Sequence, residues 1–100
     1  MNRTSELGTR LLRVLNELKG QREVSTTFLP EELPFDEAMK QIREFIELAG
    51  EYGIAYESLV ATIESHPFVL SGKAAISLLE VGLLLGFKTG RDSDQMFQWK

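Results

Sequence analysis

One hundred residues, 43% of them hydrophobic and 26% charged, suffice for one domain with one modest core and exclude disorder along the whole length. No cysteine is present, which excludes disulfides, thiolate zinc sites, iron–sulfur ligation and thiol catalysis; a reducing, cytoplasmic location is the expectation. The net charge of −4 is unevenly spread: residues 1–30 carry +2, residues 31–64 carry −7 and residues 65–100 carry +1. An acidic middle is a poor match for a nucleic-acid backbone and a good one for a basic protein surface.

The chain start leads straight into an amphipathic pattern and lacks the apolar core of a signal peptide. The longest apolar stretch, residues 81–87, is too short to span a bilayer, so no membrane is expected as a partner. Hydrophobic spacing predicts an all-α fold, a compact bundle of four main helices with a long first connection. The helical domain is expected over residues 1–87, followed by a tail, 88–100, that begins polar and ends aromatic with Phe97 and Trp99.

The first helix is predicted over 5–19. Leu7, Leu11, Val14, Leu15 and Leu18 form one face, Thr4 or Ser5 caps the start, and Gly20 fits the stop. Residues 20–33 read as an extended connection, with Phe28 and Leu29 placed to plug the core. The second helix begins at Pro34, with Phe35, Ala38, Met39, Ile42, Phe45, Ile46 and Ala49 as its apolar positions, of which Phe35, Met39, Ile42, Phe45 and Ile46 point inward, and Gly53 as its left-handed stop. A third helix is expected over 55–65, ended by His66-Pro67. The fourth, 72–85, is capped by Ser71, with Leu70 as a staple on Ala75. It is apolar on nearly every side, so it is expected either to be the most buried helix or to be covered by another chain. Gly82 in its middle suits close approach by a neighbour.

The catalytic and metal-binding possibilities are thin. His66 is the single histidine, with Glu64 and Glu57 as its nearest carboxylates in sequence; a structural role outweighs that of a general base. The glutamates of the second helix lack calcium-loop spacing, and Ser71-Gly72-Lys73 lacks the length of a phosphate loop. Tyr52 and Tyr56, one turn apart, suit either half-buried packing or an interface. The third and fourth helices cannot read DNA as a helix-turn-helix, because the second of them is apolar. The expectation is therefore no enzyme, no cofactor, no metal and no nucleic acid.

Gly53-Ile54-Ala55-Tyr56-Glu57-Ser58-Leu59-Val60, then Phe68-Val69-Leu70-Ser71, then Leu78-Leu79-Glu80-Val81-Gly82 and Leu85-Gly86-Phe87 make up a layout of packing and capping motifs. Over residues 52–87 it resembles the small helical immunity proteins of bacterial contact-dependent inhibition and polymorphic toxin systems, the MafI-like family. The resemblance implies a protein that binds and neutralises the C-terminal toxin domain of a cognate toxin. No toxin-binding residue carries over from it.

Charge leads the same way by a separate route. An acidic helical surface can occupy the basic cleft of a nuclease, with steered association. The expected contact residues are Glu37, Glu44, Glu47, Glu51, Tyr52 and Glu57, on the outer side of the second helix and its junction with the third. The alternative is a small regulatory or adaptor protein that forms a homodimer through its over-apolar fourth helix.

Overall fold

Four α-helices, with no strand among the described residues, are arranged around the first of them in a computed structural model that describes residues 6–86. They are α1 (Glu6–Lys19), α2 (Phe35–Glu47), α3 (Tyr52–Ser65) and α4 (Gly72–Leu84), with a 3₁₀ segment, Arg22–Thr27, between the first two. The fold is the expected all-α bundle. The Thr4 or Ser5 cap and the aromatic tail lie outside the described residues.

The centre is α1, which packs on α2, α3 and α4. Leu11, Val14, Leu15 and Leu18 recur along one stripe and all have zero exposure. Phe35, Met39, Ile42 and Ile46 from α2, Ala55 and Leu59 from α3, and Ala74 and Val81 from α4 complete the core.

The fourth helix is not the most buried one, contrary to its composition. Its inward face is made of Ala74, Ser77, Val81 and Gly82. Its outward face holds Ile76, Leu79 and Leu83, each half exposed or more. Space explains the inversion. Arg13 of α1 donates to the Ser77 hydroxyl at 2.9 Å, and a Cβ on Gly82 would stand 2.6 Å from the Tyr56 hydroxyl oxygen. Small side chains line the face where α1 and Tyr56 press this closely, and Ile76, Leu79 and Leu83 turn outward while Leu78 keeps a partial core contact. Ala75, the expected staple contact of Leu70, is exposed.

The connection 20–33 is not extended either. Thr26 donates its hydroxyl to the Glu23 carbonyl and Thr27 to the Val24 carbonyl, at 3.0 and 2.8 Å. These bonds back to the third preceding residue favour the tight 3₁₀ turn over a strand. Val24 is buried and Phe28 half-buried, whereas Leu29 is exposed and plugs nothing. The stop of α2 also shifts. Gly50, at φ 63°, takes the left-handed position, and the Glu51 N–H donates to the Phe45 carbonyl at 2.8 Å. Gly53 instead lies in the first turn of α3, which begins three residues earlier than expected.

Side chains from the first half of the chain hold the connection between α3 and α4. The Gln21 amide both donates to the Val69 carbonyl and accepts from the Val69 N–H, at 2.7 and 2.9 Å. The Ser71 hydroxyl accepts from the Ala74 N–H, capping α4 as expected, and itself donates to Glu17. The Ser71 N–H donates to the same carboxylate at 3.0 Å.

The Ser71 hydroxyl first, and its N–H second, hold the Glu17 carboxyl below the ordinary glutamate range. A folded-state pKa below the unfolded one stabilises the fold above the ordinary range and loses that contribution as pH falls through the folded value. Glu17→Gln should therefore flatten the fall of the thermal midpoint between about pH 5 and pH 3. An acid limb that is unchanged in the variant would remove Glu17 from this role.

Candidate functional site

The five expected contact glutamates, Glu37, Glu44, Glu47, Glu51 and Glu57, are all exposed, as the apolar spacing of α2 and α3 requires. They are spread over α2, the turn after it and α3. Glu37 and Glu44, seven residues apart, share a line along the outside of α2. Glu47 falls to the side, where Arg43 donates to it at 2.9 Å. Lys40 stands three residues after Glu37 and four before Glu44, within reach of both on a helix surface. Glu51 sits between α2 and α3, and Glu57 lies further along α3. Tyr52 is half-buried and packs against the core. Among the described residues, Glu37, Glu44, Glu51 and Glu57 have no ion pair.

Sequence distance conceals a second cluster. The His66 side chain is only 6% exposed and bonds at both ring nitrogens. Nδ1 meets the Thr27 hydroxyl at 2.8 Å, and Nε2 meets the Glu32 carboxylate at 3.2 Å. The ring lies flat on Phe28, centroids 3.8 Å apart, with Phe68 edge-on at 6.4 Å. The carboxylate beside His66 is thus Glu32, not Glu64 or Glu57. No local motif announces Thr27 or Glu32, which are 39 and 34 residues away in the chain.

Hydroxyl, imidazole and carboxylate stand in the order of a nucleophile, a base and an orienting group. Here, however, the Thr27 hydroxyl also bonds the Val24 carbonyl, and stacking covers the imidazole face. The arrangement joins the 3₁₀ segment to the end of α3. A groove of about 290 Å³ runs beside it, with Leu33, Gln41, Ser58 and Ala61 in its walls.

A third feature is apolar. Ile76, Leu79 and Leu83 follow one another at helical spacing on the outside of α4, flanked by Lys73 and by Glu80, which accepts from Arg10 at 3.1 Å. Among the described residues there is no group of three or more His, Cys, Asp or Glu placed to hold a metal ion. None of their helices is long and apolar enough to cross a membrane. No family model, curated protein or solved structure matches this chain.

Proposed function

We propose that this protein is an immunity protein that binds and neutralises a cognate protein toxin, a basic nuclease, through the acidic outer surface of α2 and the α2–α3 junction. The observation behind this reading is that Glu37, Glu44, Glu51 and Glu57 are exposed and have no ion pair among the described residues. Unpaired, solvated carboxylates can engage a basic cleft without first breaking bonds within the protein. Glu47, tied to Arg43, contributes less.

The test uses a cognate toxin domain, sought in the gene adjacent to this one. Changing Glu37, Glu44 and Glu51 together to glutamine should slow association about ten-fold at low salt and reduce its salt dependence, leaving the helical fold unchanged. An association rate and salt slope equal to those of the parent would remove the acidic surface from the contact.

The exposed Ile76–Leu79–Leu83 line favours a second reading, a homodimer closed through α4. Sedimentation at micromolar concentrations decides it, since a strict monomer has no such interface.

A further inference from the structure

Where α1 ends beside the start of α2, a recess of about 160 Å³ is lined by four cations in a chain whose net charge is −4. Lys19 comes from the last turn of α1, Arg22 from the 3₁₀ segment, and Lys40 and Arg43 from one side of α2. Phe35 and Met39, both nearly fully buried, provide an apolar floor. Asp36 is the one acid among the described lining residues.

The cations are not equivalent. Arg22 is held in place: it donates twice to Asp36, at 3.0 and 3.3 Å, and its guanidinium lies 5.4 Å from the centre of the Phe35 ring. That fork holds the Asp36 carboxyl below its ordinary range. Arg43 gives its Nε to Glu47, and its terminal nitrogens have no partner among the described residues. Lys19 and Lys40 have neither an ion pair nor a hydrogen bond there. The first turn of α2 adds its positive dipole end, with no side-chain cap at Pro34.

We infer that this recess is a binding site for a small phosphate-bearing molecule, with the phosphoryl group seated among Lys19, Lys40 and the terminal nitrogens of Arg43. Two ammonium groups and a guanidinium can engage several oxygens of a tetrahedral dianion at once. A carboxylate offers two oxygens in one plane, fewer than the three cations here can engage. The volume falls below the roughly 300–1,000 Å³ of pockets that enclose a drug-sized ligand, so the charged group enters and the rest of the molecule stays at the mouth. Glu37, Glu44 and Glu51 do not line the recess, which sets it apart from the proposed toxin contact, with Lys40 next to both.

The test titrates the full chain with inorganic phosphate, phenyl phosphate and acetate at matched ionic strength, read by calorimetry and by backbone amide shifts. Both phosphates should bind saturably, moving the amides around Lys19, Arg22, Lys40 and Arg43, and acetate at least about ten-fold more weakly. The double change Lys19→Gln and Lys40→Gln should weaken phosphate binding by about ten-fold or more and leave the ligand-free thermal midpoint where it was. Shifts that grow without saturating overturn the inference, as does acetate binding equal to phosphate or a double variant that binds like the parent. Tight binding of a 5′-phosphorylated oligonucleotide with no response to either small phosphate also overturns it, by making the recess part of a nucleic-acid surface.

Discussion

Replacing Leu15 with alanine is expected to destabilise the fold by about 2–5 kcal/mol, the range for truncating a fully buried leucine. Leu15 has no exposed area and sits in the helix that packs most extensively on the others. Any cavity there opens between helices already held by Leu11, Val14 and Leu18, which limits how far the neighbours can close in. The control is Leu79→Ala on α4. Leu79 is 50% exposed, so its loss should cost under about 1 kcal/mol. Urea denaturation of both variants checks the pair. Equal losses at the two sites would mean that α4, rather than α1, carries the core in solution.

The second large effect is expected at His66. Alanine there removes the partner of Thr27, the partner of Glu32 and the face stacked on Phe28. One hydrogen bond, one contact with a carboxylate and an aromatic contact sum to about 2–4 kcal/mol. His66→Phe keeps the stacking and loses both polar contacts, so it should recover part of that loss. The 3₁₀ segment should loosen in both variants, visible as faster amide exchange at Val24 and Phe28. An alanine variant within about 0.5 kcal/mol of the parent would show that this cluster does not hold the fold together.

The helices were legible because each carries its apolar residues at helical spacing, and that spacing survives packing. The stripe of α1 and the inward face of α2 are read directly from Leu11 to Leu18 and from Phe35 to Ile46. The orientation of α4 was not legible. Nearly every position there is apolar, so hydrophobicity does not distinguish inside from outside, and the available volume decided instead. The 3₁₀ segment was missed because the Val-Ser-Thr-Thr run favours strand by average propensity, whereas here its hydroxyls bond back to local carbonyls.

The candidate surface was legible only in part. Counting charges along residues 31–64 merges Glu37 and Glu44 with Lys40 and Arg43. The helix separates them instead, sending Lys40 and Arg43 toward the recess that Lys19 and Arg22 reach from two other elements. Clusters assembled across the chain, such as Thr27, Glu32 and His66, leave no trace in local spacing.

Glu17, in the last turn of α1, and Gln21, just beyond its end, hold Ser71 and Val69 in the connection before α4. Gln21 engages the Val69 peptide on both its donor and its acceptor side. The Ser71 hydroxyl that caps α4 is the same one that Glu17 holds, so the docking of α4 on α1 and the start of α4 are coupled through one side chain.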